Sequence, residues 1–145
     1  MNKILLSSGN QNWCTPQDFF DSLNEEFSFV LDAAATDKSA KCEKYFTPDT
    51  DGLKSSWDCE GTVFCNPPYG RNIGKWVKKA YEEAQKGITI VLLIPARTDT
   101  NYFHAYIYGK AEIRFIRGRL KFTDENGIER DRAPFPSMVV IYNNK

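Results

Sequence analysis

Ile88 to Ile94 is the most continuously apolar run of the chain, rich in β-branched residues and bounded by Gly87 and Pro95. A strand with one wet face alternates polar and apolar side chains, so a run apolar at nearly every position needs cover on both faces. That demand selects a sheet sandwiched between helices. Residues 73–86 supply one such helix, with Ile73, Trp76, Val77, Ala80, Tyr81 and Ala84 on one side and Gly87 as its terminator. Gln17 to Asn24 reads as another, with Thr15 as its cap and Pro16 at the first helical position. Strand-like segments are Phe29–Leu31, ending at Asp32, a weaker one within Lys41–Phe46, then Thr62–Cys65, Glu112–Ile116 and Met138–Tyr142. Arg119–Phe122 is a further candidate strand, and residues 101–108 a short helix. Strands alternating with helices predict an α/β fold with a largely parallel twisted sheet, helices on both faces and ligands at the carboxyl ends of the strands. Asp32 and Asn66 both fall at such ends.

The 145 residues suit one domain with one sizeable core, and no repeat or linker divides them. Residues 1–12 are polar and read as a loose lead-in. The apolar part of Met1–Leu6 is too short for a signal peptide, and no stretch approaches the roughly 20 residues of a membrane span. Cys14, Cys42, Cys59 and Cys65 form no Cys-x-x-Cys pair and have no histidine at ligand spacing, which predicts reduced thiols in a cytoplasmic protein and no metal. Net charge is zero, which excludes a blanket polyanion binder. Two basic runs stand out nonetheless: Lys75, Lys78 and Lys79, and Arg114, Arg117, Arg119 and Lys121. Such stripes fit salt-sensitive contact with a phosphate backbone, and equally a solvated face.

The chemistry concentrates in Asn66-Pro67-Pro68-Tyr69, directly after the strand-like Thr62–Cys65. A conjugated exocyclic amine is a poor nucleophile because its lone pair is delocalised into the ring. Acceptors placed around its two hydrogens draw the nitrogen toward tetrahedral geometry, and the Asn66 side-chain oxygen and the Pro67 carbonyl can supply two. The prolines hold both acceptors on one spot, and Tyr69 offers a ring on which an extruded base can stack. The plainer reading is an Asn-Pro-Pro turn closing a strand, with a tyrosine that packs.

Other candidates surround that loop. Asp32, followed by Ala33-Ala34-Ala35, can face a cationic amino-acid group or a ribose, or cap a helix. Asp51, before Gly52, can accept from an adenine amine or a ribose hydroxyl, or serve a turn. Trp13, Thr15 and Pro16 can close over a cofactor. Arg97-Thr98-Asp99-Thr100 follows the buried strand and suggests substrate contacts, with helix capping as the alternative. His104 reads as structural. Gly70–Trp76 lacks a residue between its glycines and the Ser/Thr that a phosphate loop requires.

In their order and spacing these segments resemble the phage-type DNA N-6-adenine methyltransferases. Carrying the likeness are Trp13–Pro16, Leu31–Ala35, Phe64–Tyr69, Leu93–Thr100 and Phe115–Leu120. The resemblance implies a Rossmann-like methyltransferase fold on a largely parallel seven-stranded sheet. It also implies S-adenosylmethionine as cofactor and adenine N6 in DNA as acceptor. Carried over residue by residue, Asn66, Pro67, Pro68 and Tyr69 become the catalytic loop, Asp32 and Ala33 lie in the cofactor loop, and the segment with Trp13, Thr15 and Pro16 completes the pocket. Ala34, Asp51 and Asn66 are the further residues expected around the cofactor. Arg71, Arg97, Arg114, Arg117, Arg119 and Lys121 are the expected DNA contacts, the 114–121 region foremost. The chain departs from larger methylases in lacking a Phe-x-Gly-x-Gly cofactor loop, replaced by Asp32–Ala35, and in having little room between Asp32 and Asn66 for a target-recognition insert. The tetrapeptide alone also suits cytosine N4, RNA or a glutamine amide as acceptor, and a catalytically silent DNA-binding domain on the same scaffold is the rival of a different class.

Overall fold

The computed structural model describes residues 13–143, so the expected lead-in at 1–12 lies outside the described residues. Helix α1 (Gln17–Phe27) starts directly after Pro16, whose φ of −58° already suits a helix, and no side chain caps it. Thr15 is therefore not the expected cap; it is buried and its hydroxyl is engaged elsewhere. The helix stops at Ser28, which turns left-handed (φ 53°) and donates its N–H to the Asn24 carbonyl at 2.8 Å. β1 (Phe29–Asp32), β2 (Lys44–Tyr45) and β3 (Thr62–Cys65) follow. Next come helix α2 (Ile73–Ala84), β4 (Ile90–Pro95), a π-helical turn at Phe103–Ile107, β5 (Glu112–Phe115) and β6 (Ser137–Tyr142).

The six strands stand in the order β2-β1-β3-β4-β6-β5. β1 pairs in parallel with β2 and β3, and β3 with β4. β6 runs antiparallel to both its neighbours, along six residue pairs with β4 and four with β5, whereas the parallel pairings extend over two or three. The expectation of a largely parallel sheet is thus corrected to a mixed one, of six described strands where the resemblance implied seven. Antiparallel neighbours need no helical crossover, and the chain reaches β6 through the irregular segment 116–136. Arg119–Phe122 lies in that segment and forms no strand; the chain instead turns at Asp124–Gly127, with isolated bridges from Thr123 to Cys14 and Glu129.

Every residue of β4 and β6 is buried, as the apolar run demands. One face of the sheet meets α2, Trp57 and the π-helical turn around Leu92, Ile94 and Val140. The other meets α1 through Phe20 and Leu23, together with Phe122, Ala133 and Phe135 from the irregular segment. Helices therefore cover both faces. Among the described residues no helix is long and apolar enough to cross a membrane, and no group of three potential metal ligands occurs.

Candidate active site

The parallel pairing of β1 with β3 sets Asp32 opposite Phe64, so the chain leaves β1 and β3 at the same sheet edge, with Asn66 just past β3. A cavity of about 490 Å³ opens there, lined by Trp13, Thr15, Asp32, Asp51 and Asn66 among others. That volume lies in the range of small-molecule sites, roughly 300–1,000 Å³. Trp76 from α2 and Phe46 from the loop after β2 give it aromatic walls.

Asp32 builds one side. Its carboxylate accepts from the Lys41 N–H at 3.0 Å and from the Ala34 N–H at 3.4 Å, which folds residues 33–41 into a wall. Only 3% of the residue is exposed. Burial pushes its carboxyl up to about 7, against the pull of those two N–H groups and of the Lys41 charge. The next loop closes over this wall at Gly52, where a Cβ would sit 2.3 Å from the Ala33 carbonyl oxygen and 3.0 Å from the Trp76 ring. Asp51 precedes it with φ 56° and accepts from the Leu53 N–H at 3.1 Å, so its carboxylate makes the turn and also lines the cavity.

Asn66 builds the other side. Its Nδ2 donates to the Trp13 carbonyl at 2.7 Å and to the Thr15 hydroxyl at 3.1 Å. A carbonyl oxygen only accepts, so the nitrogen must be the atom facing Trp13. The Oδ1 atom is buried and has no hydrogen-bond partner. An unpaired buried acceptor costs about 1–3 kcal/mol, and of the three such side-chain atoms among the described residues, the others being on Tyr102 and Ser137, this one belongs to a residue that lines the cavity. Pro67 is buried and Pro68 exposed, and both line the cavity.

Tyr69 does not line it. Its hydroxyl donates to the Leu93 carbonyl at 3.2 Å, and its ring packs edge-on against Phe135 and Phe122. Burial of that hydroxyl drives its pKa well above the usual phenol value, which leaves it a neutral donor, while the residue as a whole is partly exposed. Of the residues expected around a cofactor, Trp13, Thr15, Asp32, Ala34, Asp51 and Asn66 line the cavity, whereas Pro16 and Ala33 do not. Ala33 is fully buried behind the wall, donating its N–H to the Phe64 carbonyl at 2.9 Å.

The expected DNA contacts divide in two. Arg71 and Arg97 are exposed on the loops that follow β3 and β4. Arg114 is held by both carboxylate oxygens of Glu26 at 2.7 Å and by Glu112 at 2.8 Å, and it lies over the Phe27 ring. Arg119 donates to the Ala133 carbonyl at 3.3 Å, Lys121 stands 4.0 Å from Glu129, and Arg117 is exposed. Thr100 caps the turn after β4, accepting from the Phe103 N–H at 3.3 Å, and His104 contacts the Thr98 carbonyl at 2.8 Å.

Sequence reasoning missed Glu83, a buried carboxylate of α2 that accepts from the Trp57 N–H at 2.8 Å and pairs with Lys79 and Lys86. Trp57 in turn donates its indole N–H to the Gly52 carbonyl at 2.8 Å, so this cluster seats the loop that closes the cavity. The available signal was the pair of lysines one helical turn either side of Glu83. Lys41 and Glu125 also line the cavity unannounced.

Sheet order, a cavity at the strand ends and an acceptor-bearing Asn-Pro-Pro loop on its wall define an α/β protein with a cavity of small-molecule size. The profile of the family described as DNA N-6-adenine-methyltransferase (Dam) matches residues 3–145, and the chain belongs to that family. It is also similar to a DNA N-6-adenine-methyltransferase of Escherichia phage T1, with 35% identity over 122 residues. The alignment covers 83% of this chain and 50% of the relative, so the chain spans about half the length of the curated relative it matches.

Proposed function

We propose that the protein transfers a methyl group from S-adenosylmethionine to the exocyclic N6 of an adenine extruded from DNA. The observation that carries this reading is the Asn66 Oδ1 atom, an unpartnered buried acceptor on a residue that walls the cavity. Family membership supports it, as does the activity for which the phage relative is named. The mixed sheet, with β6 reversed beside β4, is compatible with a Rossmann-like methyltransferase fold.

The cavity's chemistry fits the methyl donor. Asp32 and Asp51 are carboxylates for its hydroxyl or ammonium groups, and Trp13, Phe46 and Trp76 are apolar walls for its ring and thioether portions. When bound, the donor supplies an electrophilic methyl on a sulfonium. Everything else falls to the chain. Asn66 Oδ1 accepts a hydrogen bond from one N–H of the target amine and the Pro67 carbonyl from the other, which localises the nitrogen lone pair toward the methyl. The nitrogen takes the methyl as the methyl's bond to sulfur breaks, and then loses one proton to water. Alignment of the two reacting atoms carries most of the acceleration, without a strong general base. Tyr69, partly exposed and tied by its hydroxyl to Leu93, is the ring on which the extruded base stacks. Arg71 and Arg97 are the cations best placed to meet the phosphates flanking the extruded base.

The test is incubation with labelled S-adenosylmethionine and unmethylated DNA, followed by digestion and mass spectrometry of the nucleosides. N6-methyladenine is the expected product. A signal at N4-methylcytosine would overturn the choice of base, and no methylated nucleoside despite donor binding would overturn DNA as acceptor.

A further inference from the structure

An asparagine amide has one acceptor and one donor end of nearly equal shape, and only the acceptor end can take a hydrogen from an amine. We propose that Thr15 is a positioning residue which, with the Trp13 carbonyl, locks the Asn66 amide in the single orientation that presents Oδ1 to the substrate amine. This rests on the methyl-transfer reading of the same site. Three observations carry it. Both partners of Nδ2, the Trp13 carbonyl at 2.7 Å and the Thr15 hydroxyl at 3.1 Å, come from one short segment some fifty residues before Asn66. Thr15 is 2% exposed although it caps nothing, so burial of its hydroxyl is explained by this contact. The Trp13–Cys14 backbone is itself clamped. Cys14 exchanges two main-chain hydrogen bonds with Thr123 at 3.0 and 2.9 Å, and the Trp13 ring packs against Phe122, Phe135 and the Arg130 guanidinium. The turn at 122–130 thus holds the carbonyl that holds the amide.

The lock predicts that a carboxylate cannot replace Asn66, even though a carboxylate is the better acceptor. In Asn66→Asp an oxygen would face the Trp13 carbonyl oxygen at the distance now bridged by a hydrogen bond, and the two acceptors repel. Protonation of that carboxyl restores a donor toward Trp13 and leaves the other oxygen free.

The experiment compares wild type, Thr15→Val, Thr15→Ser and Asn66→Asp with DNA and S-adenosylmethionine, and follows the Asn66 side-chain amide by ¹H–¹⁵N NMR without ligands. Thr15→Val should lower kcat about tenfold with KM for DNA little changed, and Thr15→Ser, which retains the hydroxyl, should recover most of that loss. Exchange of the Asn66 amide protons should quicken in Thr15→Val alone. Asn66→Asp should be about 100-fold slower than wild type near pH 8 and regain activity as pH falls. Unchanged amide exchange in Thr15→Val, or Asn66→Asp matching wild type near pH 8, would overturn the lock. Should Thr15→Val fail to fold, the pH profile of Asn66→Asp decides alone. Absence of transfer by the wild type would strike the methyl-transfer reading instead, and the ligand-free amide exchange would still report on the lock.

Discussion

Asp32 and Asn66 occupy equivalent places, each at the carboxyl end of a parallel strand and each on the cavity wall, yet their hydrogen bonding is opposite. Both carboxylate oxygens of Asp32 are engaged by backbone N–H groups of the loop it organises. Asn66 has its donor end engaged and its acceptor end empty. One side chain shapes the cavity and the other keeps an unpaired acceptor beside it. Substitution should therefore separate stability from turnover at these two positions.

The sharpest separation is Asn66→Ala. Loss of one preorganised hydrogen-bonding group should lower methyl transfer by about 10²–10³ while the urea midpoint moves little. Asp32→Ala should differ in stability, lowering the unfolding free energy by about 2 kcal/mol in urea titration because the Ala34 and Lys41 N–H groups lose their partner, with any loss of transfer following from weaker donor binding. Equal stability losses in the two variants would break the comparison. Gly52→Ala extends the Asp32 side: its Cβ cannot coexist with the Ala33 carbonyl 2.3 Å away, so the wall must shift, at about 1–3 kcal/mol.

A finer effect concerns pH. Because the Asp32 carboxyl titrates near 7 in the folded protein against 3.8 for the free group, the folded state binds the extra proton between those values. Stability from this group is thus greatest on the acid side and declines as pH rises toward 7. Asp32→Asn should remove that decline, read as a flatter curve of urea midpoint against pH than the wild type shows between about 4 and 7.

The smallest effects should come from the surface cations. Arg71→Ala and Arg97→Ala should each reduce the slope of log affinity for DNA against log salt by about 1. Arg114→Ala should leave the slope unchanged, since Glu26 and Glu112 already neutralise it, and should cost at most about 1 kcal/mol of stability for a half-exposed pair. A slope change for Arg114→Ala would show that Glu26 and Glu112 do not keep this one arginine from DNA.

These contrasts also mark what could be read from the sequence. Thr62–Cys65 is a strand over the expected residues, and Ile73–Ala84 a helix over nearly all of its expected span, because burial on two faces and a 3.6-residue period are local patterns. Asp32 and Asn66 at strand ends followed from the same patterns. What escaped is what depends on partners far along the chain. Arg114 meets Glu26 across 88 residues, Trp57 meets Glu83 across 26, and Asn66 meets Thr15 across 51, so no window of sequence contains both members. Thr15 looked like a cap because Thr-Pro before a helix usually is one, and a long-range contact took its hydroxyl instead. The reversal of β6 was hidden for a related reason: an apolar strand looks alike in either direction.

β6 has one more consequence, for how the molecule comes into being. It lies between β4 and β5 although both precede it along the chain, and every residue in it is buried. During synthesis from the amino end, β4 and β5 are therefore both made before the strand that joins them exists. A polypeptide stalled or truncated ahead of Ser137 would carry the most apolar strand of the sheet with one open edge, the form most readily captured by another chain.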